Sequence, residues 1–182
     1  MDEHLTRDLL MTTAIFGLFA FVWFGWAQEN PPPRARVALG IGAGLGGVLA
    51  IIFGILSGLN WGAPTALDTS GPAFRTYLIL VGVEVVLAAA GGIGLGVSRW
   101  SRFVPVWVLL VVGVHFYFLA PVMDMPALNV LATLLVAAVV VTMALARSDW
   151  QPSFIAGAQA GVILLVFAGI AAVTWLTSRT AV

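Results

Sequence analysis

The sequence predicts an all-α, polytopic membrane protein: one domain spanning residues 1–182, built as a bundle of six transmembrane helices. Three observations point there. Six apolar stretches each reach the roughly 20 residues needed to cross a hydrocarbon core about 30 Å thick. The chain is 61% hydrophobic and 9% charged, against about 25% charged residues in soluble domains, and its mean hydropathy is +1.06. The polar segments between the apolar stretches are short and leave no room for a soluble domain.

Helix one is expected near Leu9–Ala27. The residues before it carry Asp2, Glu3 and Asp8 against Arg7, unlike the positively charged opening of a signal peptide. Helix one is therefore read as part of the mature protein. Pro31, Pro32 and Pro33 end it, because no helix continues through three consecutive prolines. Helix two is expected near Val37–Leu59 and is dense in glycine. Gly42 and Gly46, like Gly92 and Gly96 in helix three, have the four-residue spacing that lets helix backbones approach closely in lipid. Gly42, Gly44 and Gly47 also match the dinucleotide pattern G-x-G-x-x-G, but no strand precedes them, so packing is the reading.

The longest connection is Asn60–Ala73, which contains Trp61, Pro64, Asp68 and Pro72. Helix three follows near Phe74–Val97, helix four near Val104–Ala120, helix five near Ala127–Ala146 and helix six near Phe154–Leu176. Helices three and six start alike, with Pro72-Ala73-Phe74 and Pro152-Ser153-Phe154. A duplicated three-helix unit in opposite orientations would produce such a match. Trp26, Trp61, Trp100, Trp107, Trp150 and Trp175 fall near helix ends, as expected of an aromatic belt at the headgroup level.

Arg34, Arg36, Arg99, Arg102 and Arg147 follow helices one, three and five, while Arg7, Arg75 and Arg179 lie on the opposite side. This bias places the odd-numbered connections in the cytoplasm and both termini outside the cell membrane. The arginine-only, Ala/Gly/Val-rich composition is that of a GC-rich prokaryotic genome.

Composition also excludes chemistry. There is no cysteine, hence no disulfide, iron–sulfur cluster or thiolate site. All eight basic residues are arginine, so no lysine is present to form a Schiff base. The two histidines, His4 and His115, make a poor pair for haem. No cofactor and no metal are expected, and zero net charge offers no argument for nucleic acid. No nucleophile–base pair, carboxylate dyad or HExxH motif appears, so the balance is against an enzyme.

Two ionisable residues remain inside the apolar stretches: Glu84 in helix three and His115 in helix four. Such groups are rare in membrane helices and mark polar pathways, because their exposure to lipid is unfavourable. At 1.5 Å per residue, Glu84 lies roughly 15 Å and His115 roughly 9 Å from the same membrane face. Helices three and four, joined by the short Ser98–Phe103 turn, are expected to pack as a hairpin that brings the two together. Tyr77, Tyr117 and Asp124 lie toward the same side and complete the candidate ligand or proton site. A metal would require Glu84, His115 and Asp124 to converge.

The segment Gly113-Val114-His115-Phe116-Tyr117-Phe118-Leu119-Ala120, followed by Pro126, resembles a His-Phe-x-x-Leu-Ala segment of small bacterial multi-helix membrane proteins. That resemblance implies no activity. In size and helix number the chain is also similar to the substrate-binding components of energy-coupling-factor vitamin transporters. Those carry Ala-x-x-x-Ala in helix one, which Met11–Phe21 lacks. The expected function is a small carrier or channel with a Glu84/His115 polar centre. The alternative is a non-catalytic scaffold, assembly factor or ligand-binding subunit, with the bilayer and either a second copy or another membrane protein as partners.

Overall fold

The computed structural model describes residues 6–63, 65, 67, 70–146 and 150–180, without the side chains of residues 179 and 180. His4, Pro64, Asp68, Arg147 and the side chain of Arg179 lie outside the described residues. The helices are α1 (Thr6–Ala27), α2 (Arg36–Leu59), α3 (Pro72–Gly96), α4 (Val104–Val122), α5 (Ala127–Leu145) and α6 (Pro152–Thr180). There is no strand among the described residues, and six helices are long and apolar enough to cross a bilayer. The chain is a multi-pass integral membrane protein.

The expected spans agree with these helices to within a few residues. One difference has a clear cause at α4, which runs through Pro121 to Val122. A proline in the last turn removes only one hydrogen bond, so it need not end the helix. Asp124 ends it instead, with φ of 48°, and the Met125 N–H reaches back to the Ala120 carbonyl at 3.0 Å. This is a Schellman cap, in which one left-handed residue satisfies the final carbonyls.

The packing is uneven. α6 lies against α1, α2, α4 and α5, and α1 is held between α2 and α6. Among the helices, α3 lies close to α4 alone and has no buried residue. The matching starts of helices three and six therefore do not express a repeat: α6 is central and α3 is peripheral.

Glycines explain the tight contacts. At the α1–α2 crossing Gly17 meets Gly46: a Cβ on Gly46 would stand 2.7 Å from the Gly17 carbonyl oxygen and 2.9 Å from the Phe21 nitrogen. Gly42 lies under the Phe24 ring, where a Cβ would come within 2.8 Å. On α6, a Cβ at Gly157 would stand 2.6 Å from the Trp23 carbonyl oxygen, and one at Gly161 would come within 2.8 Å of the Phe24 ring. The expected role of Gly92 and Gly96 is corrected. Gly96 faces open space, and Gly92 leaves only an ordinary 3.8 Å to Val104. The close approach of α3 to α4 runs through Gly91, against which the Trp107 indole lies.

Two tryptophans are buried within the bundle, Trp175 from the expected belt and Trp23 from outside it. Trp175 is 5% exposed and packs edge-on against Phe53 of α2, 5.7 Å between ring centres. Trp23 is 3% exposed and stacks on Trp26 at 5.3 Å. Both use their large apolar area inside the bundle. Polar clamps join other helices: Gln159 donates to the Thr142 hydroxyl (3.1 Å) between α6 and α5, and Tyr117 shares a 2.8 Å hydrogen bond with Thr133 between α4 and α5. Bonds of this kind contribute about 0.6–2 kcal/mol in membranes. At the N-terminal end of α1, Arg7 donates to the Trp61 carbonyl (3.0 Å) and stacks over its ring at 3.9 Å. The Thr65 hydroxyl donates to the Asp8 carboxylate. The long connection is thereby tied onto the first helix.

Candidate functional site

Glu84 is the middle residue of α3 (Pro72–Gly96). A helical carboxylate this far from either end cannot reach the headgroups, so its partner must come from protein. α4 supplies it: His115 Nε2 lies 3.4 Å from Glu84 Oε2. The short Ser98–Phe103 link makes α3 and α4 antiparallel neighbours, which brings residues at similar depth side by side. Leu80, one turn from Glu84 on α3, lines a cavity together with His115. His115 thus faces α3 through its Nε2. The 3.4 Å separation exceeds a well-formed N–H···O bond of about 2.7–3.2 Å.

The pair stands between two cavities. One, of about 140 Å³, lies between α1 and the α3–α4 hairpin, with Phe16, Trp23, Phe116 and Leu164 on its inner wall. The other, of about 200 Å³, lies on the opposite side of the α3–α4 seam and is lined by Leu87, Trp107, Val111 and Phe118. Glu84 and His115 border both. His115 has 7% of its side chain exposed and Glu84 21%, so the imidazole is the enclosed member and the carboxylate the reachable one. Trp107 stiffens the seam by donating its indole N–H to the Leu87 carbonyl at 3.0 Å.

Tyr77 borders the first cavity together with the pair. Seven residues separate it from Glu84, two helical turns, which sets both on one face. The structure does not bring Tyr117 to this site. It is two residues beyond His115, about 200° around the helix, and faces α5, where it bonds Thr133. Asp124 is absent from the site for a different reason: it is exposed and caps the end of α4. Among the described residues, no three His, Asp or Glu side chains stand close enough to hold a metal ion.

The sequence reading missed the contribution of α1. Phe16 and Phe19 border the same cavity as Trp23, and the three follow i, i+3, i+7 spacing, which puts them on one helical face. That spacing was a readable signal. Its meaning was not, because every face of α1 is apolar and the pattern does not say which neighbour it meets. No protein-family model, curated protein or solved structure matches the chain.

Proposed function

We propose that the protein is a small proton-linked carrier of the plasma membrane, with Glu84 and His115 as its polar centre. The observation that carries this reading is the contact of these two residues halfway along α3, bordered by a cavity on each side. One proton shared by the pair resides either on the carboxyl, leaving a neutral imidazole, or on the imidazole, leaving a carboxylate. Both arrangements have no net charge, so the transfer moves no net charge into the apolar interior. Losing the proton leaves one uncompensated negative charge, which the surroundings disfavour. A group that holds its proton until a substrate or a conformational change alters its surroundings is what coupling requires. The peripheral position of α3, held by α4 alone among the helices, supplies an element able to move relative to the α1–α6 core.

The test is proton movement into proteoliposomes carrying a trapped pH dye under an imposed potassium diffusion potential. Acidification faster than in protein-free vesicles is the expected result, with Glu84→Gln returning to the protein-free rate at unchanged elution volume in detergent. Equal rates for wild type and Glu84→Gln would overturn the reading. A specific observation favours the second reading, an assembly subunit: Gly40, Gly44, Gly54 and Gly58 leave open space along the exposed side of α2, a surface onto which a helix of a second copy or another membrane protein can close.

The arginine distribution supports a topology with both termini outside. With no native cysteine, Ser101→Cys should react with an impermeant maleimide only in opened cells, and Asp124→Cys in intact ones. The reverse pattern would invert the topology.

A further inference from the structure

The cavity beside α1 has a feature that transport of a water-soluble solute does not require: it opens sideways. α1 and α3 both border it, yet they do not pack on one another. The outer rim consists of Ile15, 36% exposed, and Phe19, 47% exposed, whereas Phe16, Trp23, Phe116 and Leu164 at the back are 9% exposed or less. A slot with exposed apolar lips between two membrane-spanning helices is filled from the lipid. Three polar side chains border it: Glu84, His115 and Tyr77. Apolar walls with a few convergent polar groups are the usual anatomy of a small-molecule site.

We infer that this slot binds a lipophilic molecule bearing a single hydroxyl head, a long-chain alcohol or a phenol, which enters laterally between α1 and α3. The head follows from the donors and acceptors present. A carboxylate accepts only, and an imidazole offers ring nitrogens that donate or accept. A hydroxyl both donates and accepts, so it can donate to Glu84 and interact with His115 at once. The size follows from the space, about 140 Å³, which suits one ring or a short branched head. The remaining chain lies past Ile15 and Phe19 in the bilayer. Phe16 and Phe116, edge to face at 5.7 Å, offer an aromatic wall to a ring. This inference rests on the carrier reading only in using the same two residues; binding and proton movement are separately measurable.

The experiment compares 4-octylphenol with octylbenzene, which lacks only the hydroxyl, by titration calorimetry on the detergent-solubilised full chain. The phenol should bind at least about tenfold more tightly, the effect of a hydrogen bond to a charged acceptor in an apolar site. Glu84→Leu should bring the two affinities together. Val81→Phe, which fills the slot from the α3 side and leaves Glu84 and His115 unchanged, should abolish phenol binding while keeping the melting temperature of the free protein. Equal affinity of the two probes for wild type would overturn the inference, as would undiminished phenol binding by Val81→Phe. Phenol binding without proton movement would remove the carrier reading and leave this one standing. Proton movement with equal probe affinities would do the reverse.

Discussion

Gly46→Leu is expected to destabilise the bundle by about 3 kcal/mol or more, at the upper end of what overpacking costs. The nearest atoms to a Cβ at this position are the Gly17 carbonyl oxygen (2.7 Å) and the Phe21 nitrogen (2.9 Å). Both belong to the backbone of α1, so no side-chain rotation can relieve the clash and the two helices must separate. α1 also carries the contact with α6, so the separation propagates into the core. Gly44→Leu is the matched control: it lies on the same helix, two residues away, with nothing within 4 Å of its Cβ position. Thermal unfolding in detergent should show a large fall in melting temperature for Gly46→Leu and little change for Gly44→Leu. Equal melting temperatures for the two variants would mean that the α1–α2 crossing is not where the structure places it.

The second large effect concerns the polar centre. His115→Leu leaves the Glu84 carboxyl in an apolar setting without its partner, and a loss of about 2–3 kcal/mol is expected. Glu84→Leu should cost less, because a neutral imidazole left alone is cheaper to keep in an apolar setting than a carboxylate. The double variant, with no polar group left to satisfy, should be more stable than His115→Leu alone. Removing both partners of a buried pair can be close to neutral, whereas removing one strands the other. Reversible unfolding measured across the four proteins gives the coupling energy directly. Additive losses would show that Glu84 and His115 satisfy their polar atoms separately, and the proton-sharing mechanism would go with that result.

The polar centre was legible because it rests on local quantities. Glu84 and His115 are isolated ionisable residues within apolar helices, their depths follow from residue counting, and a six-residue link forces α3 and α4 together. Tyr117 was assigned to the same site by membrane side alone. Its direction around α4 takes it to Thr133 instead. Asp124 was counted as a carboxylate, whereas its backbone conformation gives it a capping role.

The glycines draw the same boundary. Gly42 and Gly46 share their four-residue spacing with Gly92 and Gly96, yet only the first two meet another helix closely. Gly17 has no such spacing partner on α1 and yet lies at the close α1–α2 crossing. Spacing shows that a close approach is feasible on some face; the neighbour decides whether it happens.

The sequence by itself determined the six membrane spans, their order, the breaks between them and the two residues that had to find polar partners. Each of these follows from the transfer of a stretch of chain, or of one side chain, into hydrocarbon, a property of the residues concerned. Only the tertiary structure decided that α6 and α1 are central, that α3 hangs on α4, and that a slot lies between α1 and α3. In lipid the outward and inward faces of a helix are equally apolar, so no amphipathic stripe in the sequence marks the inner face. The choice of neighbour is made by the fit of small residues against particular backbones and rings, such as Gly46 on Gly17 and Gly161 on Phe24, and that fit exists only once the helices have met.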